Sequence, residues 1–247
     1  EANAGNTSEV PEAVRSILSR GSEAVWIGGD TVAIASISAI VSSSRDLKIP
    51  VFTNDPGDSA RGALFGVGAS YRDVGIAVGE IGGKILRGAS ARSFGVENLV
   101  PEALTLNESA AREMPGWSIP DELRAQSRLS GRSTASAGQK QPQPGRTYKI
   151  GLLYCGPHPL FDKTIEGIKC SLRDAGFAEG RNLVIQYAHP NGDLSMLPQV
   201  ASNISDQDLD LVIPLSTTCL GAALASRKEI PIVFGAVSSP LEAGAGK

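Results

Sequence analysis

From Ile150 onward, short apolar runs alternate with amphipathic stretches of helical period, and few folds accommodate that alternation. The runs at 150–154, 183–187, 209–214 and 230–234 are short enough for buried strands. Between the first two, the stretch 161–175 places Ile165, Ile168, Leu172 and Ala175 on one helical face. Gly176 and Gly180 end and turn it, and 194–204 and 217–227 supply two further helices. Strands linked by helices of about ten to fifteen residues need right-handed crossovers, and hence a parallel sheet.

The first half shows the same alternation less cleanly. A helix at 11–20 precedes a strand at Ala24-Val25-Trp26-Ile27, and Asp30 or Thr31 caps a helix that aligns Ile34, Ile37 and Val41. Ile49-Pro50-Val51-Phe52 reads as a strand with proline at its first positions, and Ala63-Leu64-Phe65 as another. Over 73–87, Val74, Val78, Ile81 and Ile85 mark an amphipathic helix. Gly75, Gly79 and Gly82 form a second stripe, which predicts close backbone approach to a neighbour. The halves also echo each other: a charged residue, Ile-Pro and an apolar strand occur as Lys48-Ile49-Pro50-Val51-Phe52 and as Glu229-Ile230-Pro231-Ile232-Val233. Two similar α/β lobes follow.

The 247 residues, 41% of them hydrophobic, suffice for two cores of about a hundred residues each. The 23 residues from Arg124 to Arg146 hold five cations, no acid and one large aliphatic side chain, too little apolar surface to fold. They read as a basic flexible linker at 124–146 between lobes at 1–123 and 147–247. Setting those cations aside turns the net charge of −3 into −8 for the folded parts, which argues against a nucleic-acid partner. No apolar run approaches the roughly 20 residues that span a bilayer. The chain begins at Glu1 without a charged start and apolar core, so it reads as an excised segment whose export signal lies upstream or is absent. Cys155, Cys170 and Cys219 lack metal-ligand spacing and read as small apolar residues, so neither a metal nor a cofactor is expected.

In an open parallel sheet, ligands sit beyond the carboxyl ends of the strands. The residues there are small and polar: Gly28-Gly29-Asp30-Thr31, Thr53-Asn54-Asp55, Cys155-Gly156-Pro157-His158, Ser216-Thr217-Thr218 and Gly235-Ala236-Val237-Ser238. Helix starts at Thr31 and Thr218 favour an anionic end, and Asp30 or Asp55 can meet a cationic one, so a zwitterionic solute fits. Capping alone explains Asp30, Ser216 and Thr217 equally well, and Asn54-Asp55-Pro56-Gly57 is a good turn in its own right.

These residues resemble the ABC-transporter substrate-binding proteins of the type that includes tryptophan- and tyrosine-binding members. The second half is similar to the family's amino-terminal lobe in Lys149-Ile150-Gly151-Leu152-Leu153, His158-Pro159, Ala175-Gly176-Phe177-Ala178-Glu179-Gly180-Arg181 and Phe234-Gly235-Ala236-Val237. The first half resembles the later part of its carboxy-terminal lobe in Ile49-Pro50-Val51-Phe52, Arg61-Gly62-Ala63-Leu64 and Gly82-Gly83-Lys84-Ile85-Leu86-Arg87-Gly88. The resemblance implies two three-layer, periplasmic binding protein-like lobes that close on an amino acid-like solute and present it to a membrane permease, outside the cytoplasm. It carries ligand contact to His158, Pro159, Ser216, Thr217, Thr218, Ala236 and Val237, and to Asp30, Asn54 and Asp55 in the other lobe. Cys155-Gly156 departs from the longer side chains of the family. The lobe order is inverted relative to the family, which leaves two arrangements: tandem copies, which the missing opening unit of the first lobe favours, or a circular permutation.

Catalysis is not expected. Gly66-Val67-Gly68 lacks the third glycine of a dinucleotide fingerprint, Tyr71 standing in its place, and no phosphate-loop or nucleophile-elbow motif occurs. The histidines, His158 and His189, both precede proline and read as loop residues. A ligand-sensing module of a receptor or regulator is the alternative to transport.

Overall fold

In a computed structural model, which describes residues 7–28, 31–97, 101–114, 116–129, 142–226 and 229–246, the apolar runs of the two halves build two separate sheets. Unit 1 comprises Glu1–Ser70 and Val100–Arg132, and unit 2 comprises Tyr71–Leu99 and Ser133–Lys247.

Unit 1 carries strands β1 (Val25–Ile27), β2 (Val51–Thr53), β3 (Phe65–Ala69) and β4 (Glu102–Leu106), in that order across the sheet. The first three are parallel, and β4 runs antiparallel on β3 with Phe65 opposite Leu106. Val10, Val14 and Leu18 recur every four residues on α1 (Val10–Leu18) and are buried with Ile37, Ile40 and Val41 of α3 (Ile37–Asp46) and with Val25, Ile27 and Val51 of the sheet. Strand alternation turns Phe52 to the opposite face. There it joins Leu64, Ala110 of α5 (Glu108–Glu113), Ile119 and Leu123 of α6 (Asp121–Leu129). The helix expected after Asp30 is divided at Ser36 into α2 (Thr31–Ala35) and α3. Strand β3 starts two residues later than the predicted run, while Ala63 and Leu64 are buried just before it.

Part of the expected linker is helical. Arg124 pairs with Glu108 and with Asp121, each at 2.9 Å, and residues 124–129 continue α6. A lack of acids within the segment is offset by acids just before it, in the first turn of the helix, where they also suit its dipole. At the other end, Arg146 pairs with Asp210 and lies over the Tyr148 ring. The linker residues 130–141 lie outside the described residues.

Unit 2 is built on β5 (Tyr148–Leu153), flanked by β6 (Leu183–Ala188) and β7 (Leu211–Pro214), all parallel in the order β6-β5-β7. All of β7, and all of β5 except Lys149, is buried, as expected of a parallel sheet covered on both faces. Ile150, Leu152, Leu211 and Ile213 face α4 (Tyr71–Leu86) and α7 (Pro159–Asp174). Leu153 and Val212 face α8 (Leu197–Ser205) and α9 (Thr217–Ala225).

Helix α4 belongs to the first half of the chain but packs in unit 2, where the sequence boundary at 123 had grouped it with the first lobe. Its glycine stripe provides the reason. A methyl on Gly75 would lie 2.9 Å from the Thr164 carbonyl carbon and 3.0 Å from the Ile168 nitrogen, and one on Gly79 2.8 Å from the Ile168 oxygen. Gly167 of α7 reciprocates, 2.9 Å from the Ile76 nitrogen on the same test. Backbone therefore meets backbone, as the stripe predicted, and Arg72 adds an ion pair to Glu166 at 3.2 Å.

The run 230–234 forms no named strand; it meets β7 at one isolated bridge, Val212 to Ile232, and a second bridge joins Leu215 to Gly235 just beyond both. Val212 N–H donates to Pro231 and Val233 N–H to Val212, and the ladder resumes where Gly235 N–H donates to Pro214. The missing rung falls at Pro214, which has no N–H to give.

Candidate functional site

At the carboxyl edge of unit 2, the backbone is held in conformations that ordinary residues avoid. Ser216, directly after Leu215, has φ 102° and ψ 157°, and Ala236 has φ 53°. Such conformations cost on the order of 1–3 kcal/mol each and persist only where surrounding bonds fix them. Those bonds are present. Leu215 N–H donates to Leu153, the Ser216 hydroxyl accepts from Cys219 N–H at 3.3 Å, and Thr217 Oγ1 accepts from Ser238 N–H at 3.2 Å. The turns at 216–218 and 236–238 are thus braced to each other. Gly235 sits beneath Val78 of α4, where a methyl would come within 2.6 Å of Cγ2.

The loop after β5 is tied to the loop after β6 by Gly192 N–H donating to the Cys155 carbonyl at 2.9 Å. His158 caps α7, its Nδ1 accepting from Leu160 N–H at 3.2 Å, and Pro159 is the first helical residue. Tyr154, His189, Phe161 and His158 form a ring cluster here. Tyr154 stands 4.9 Å from His189 and 5.9 Å from Phe161, and His158 is 6.1 Å from Phe161. Burial raises the Tyr154 phenol above its ordinary pKa. Of these rings the sequence singled out only His158 for ligand contact; Tyr154 and Phe161 carry no local signal beyond their nearness to the end of β5.

In unit 1, Asp55 caps the 3-10 turn Pro56–Arg61, its Oδ1 accepting from Gly57 N–H at 2.7 Å. Thr53, fully buried, donates from Oγ1 to the Asp55 carbonyl at 2.9 Å. Gly66 and Gly68 of β3 lie directly under this turn: methyls there would come 2.9 Å from the Asp55 carbonyl carbon and 3.1 Å from that of Asn54. The Gly66-Val67-Gly68 pair therefore seats the Asn54-Asp55 turn, and Thr105 of β4 donates to Pro56 to hold it from beneath. Thr31 opens α2, and Asp30 lies outside the described residues.

The structure gathers His158, Pro159, Ser216, Thr217, Thr218, Ala236 and Val237 in unit 2, and Asn54 and Asp55 in unit 1. Two hollows in unit 2, about 390 and 230 Å³, lie instead around Arg146. Their lining residues Thr147, Asn182 and Asp210 each precede a strand, so they occupy the opposite edge of the sheet. Among the described residues, no group of three or more His, Cys, Asp or Glu is placed to hold a metal ion.

Three-layer α/β units with small polar loops gathered at the carboxyl edge of a parallel sheet define a periplasmic binding protein-like fold. The family model for ABC transporter substrate binding proteins matches residues 1–128 and 149–246, and the chain belongs to that family. A tyrosine-binding protein of Clostridioides difficile (strain R20291) is 32% identical over 112 residues, covering 45% of this chain and 32% of that protein. The ligand-free, open structure of a substrate binding protein with adhesive properties from Clostridium difficile is 34% identical, covering 40% of this chain and 33% of that one, at a TM-score of 0.38. A galactofuranose binding protein, 13% identical, covers 93% of this chain and 61% of its own at a TM-score of 0.50, a likeness of fold. The chain spans about a third of the length of the relatives it resembles in sequence.

Proposed function

We propose that this chain forms part of a solute-binding clamp of an ABC-type uptake system and takes an amino acid without breaking any bond. The observation that carries the reading is the braced pair of turns at Ser216–Thr218 and Ala236–Ser238, where strained backbone is fixed beside the start of α9. That helix start favours a carboxylate. The ring cluster of Tyr154, His158, Phe161 and His189 at the same edge suits an aromatic side chain, in keeping with the tyrosine-binding relative. Asn54 and Asp55, with Asp30 and Thr31, supply the polar contacts of unit 1. Membership of the family supports a membrane permease as partner and a location outside the cytoplasm; among the described residues no helix is long and apolar enough to cross a membrane.

Titration calorimetry of the chain against tyrosine, tryptophan, phenylalanine, leucine and a hexose tests this. The expected result is saturable binding of the free aromatic amino acids, lost in their methyl esters and accompanied by no conversion on chromatography. Absence of binding to every amino acid, or chemical turnover, overturns it.

A further inference from the structure

Two of the three cysteines meet at this edge although 64 positions separate them: Cys155 Sγ lies 3.6 Å from Cys219 Sγ. Cys155 follows β5 by two residues and is half-buried, while Cys219 is buried in the first turn of α9. The Ser216 and Thr218 hydroxyls lie 3.3 and 3.5 Å from Cys155 Sγ. No charged side chain takes part in these contacts. We propose that Cys155 and Cys219 are a reversible dithiol–disulfide site, oxidised by a peroxide and restored by a dithiol reductant, whether or not a solute binds.

The order of events follows from burial. Cys219 is enclosed, which pushes its thiol up to about 12, so it stays protonated at neutral pH. Cys155, open on one side, meets the oxidant first. Its thiolate attacks one peroxide oxygen, the O–O bond breaks, and the departing hydroxide is protonated to water, leaving a sulfenic acid. The Cys219 sulfur then attacks the Cys155 sulfur, the S–O bond breaks, and the leaving hydroxide takes the Cys219 proton as a second water. Two thiols and one peroxide become one disulfide and two waters, the sulfurs having given two electrons to the peroxide. The Ser216 hydroxyl, beside both sulfurs, supports charge on Cys219 as its proton leaves. Cys170 is an internal control. Its sulfur sits on α7 among Arg72, Arg173 and Asp174, and it has neither of the other thiols among its contacts.

The test treats the folded chain with hydrogen peroxide, counts free thiols after denaturation and maps peptides by mass spectrometry. Expected are a fall from three thiols to one, a mass lower by two hydrogens and a linked peptide pair holding Cys155 and Cys219. The variant Cys219→Ser should instead give a dimedone adduct on Cys155 and no linked pair, and Cys155→Ser should keep both of its thiols. Three free thiols under conditions that oxidise free cysteine, over-oxidised Cys155 beside free Cys219, or a bridge that includes Cys170 each overturn the proposal. Because the wild-type map decides by itself, failure of either variant to fold leaves it fully exposed to refutation.

Discussion

Replacing Gly75 by alanine sets two effects of a helical glycine against each other. In an open helix the change is favourable by about 1 kcal/mol, because alanine restricts the unfolded chain and suits the helix. At Gly75 the added methyl lands inside contact distance of the Thr164 carbonyl group, with the Ile168 nitrogen 3.0 Å away. No rotamer change relieves this, since the obstacle is the backbone of a helix that itself packs on the sheet. The helices must part by on the order of 1 Å, and gaps of that size forfeit a quarter to a half of the dispersion attraction across them. Overpacking of this kind costs about 1–3 kcal/mol, and a rigid obstacle puts Gly75 at the upper end. Subtracting the propensity gain leaves a net loss of about 2 kcal/mol.

Gly221 in α9 supplies the control, since a methyl there meets nothing within 4 Å. Gly221→Ala should therefore stabilise by about 0.5–1 kcal/mol. Urea unfolding followed by far-ultraviolet circular dichroism reads both, with the m-value checking that the transition keeps its character. In thermal melts the Gly75→Ala loss corresponds to a Tm lower by about 4–8 °C. If Gly75→Ala matches or exceeds the wild type at unchanged m, α4 does not lie on α7 at backbone contact, and the assignment of α4 to unit 2 falls with it.

Three other outcomes are expected. Ser216→Gly should be more stable than Ser216→Ala by about 1–3 kcal/mol, because both lose the cap on Cys219 while only glycine relieves φ 102°; equal stabilities in chemical denaturation would remove the strain. Burial lifts the Cys219 thiol from 9.0 to about 12, so its neutral form stabilises the fold fully below pH 9 and this contribution is lost as pH rises toward 12. Stability should fall by up to about 1.4 kcal/mol per pH unit across that window relative to Cys219→Ala, and parallel pH curves for the two proteins would contradict the burial. Thr217→Val keeps the shape of the side chain but removes the acceptor for Ser238 N–H, and should weaken calorimetric affinity for an aromatic amino acid several-fold with a stability cost of about 1 kcal/mol; unchanged affinity would detach the 236–238 turn from binding.

What was legible in the sequence depended on how local the governing contacts are. The strands and helices of unit 2 follow from periodicity because each buried residue lies on a regular face, as Ile165, Ile168 and Leu172 do on α7. The glycine stripe on α4 announced a close neighbour but not which one, since its partner, Gly167 with Thr164 and Ile168, lies nearly a hundred positions away. Strand β3 was blurred because Gly66 and Gly68 are poor strand formers, chosen here to admit the Asn54-Asp55 turn. Helix α6 ran past the expected linker boundary because Arg124 draws on Glu108 and Asp121, acids outside the segment whose composition suggested disorder. The Cys155–Cys219 contact depends on the register that sets Leu153 beside Pro214, which no spacing along the chain records.

Helix α4 completes unit 2 although it comes from the first half of the chain. Unit 2 buries Ile150, Leu152, Leu211 and Ile213 on the face that α4 and α7 cover together, and Val78, Ile85 and Leu86 of α4 belong to that core. Without α4, one face of the sheet would rest on α7 alone, and several fully buried aliphatics would lose cover at about 25 cal/mol for each Å² uncovered. The same helix supports the candidate site through Val78 over Gly235, one residue before the strained Ala236. A segment from the first half thus completes both the core and the carboxyl edge of unit 2.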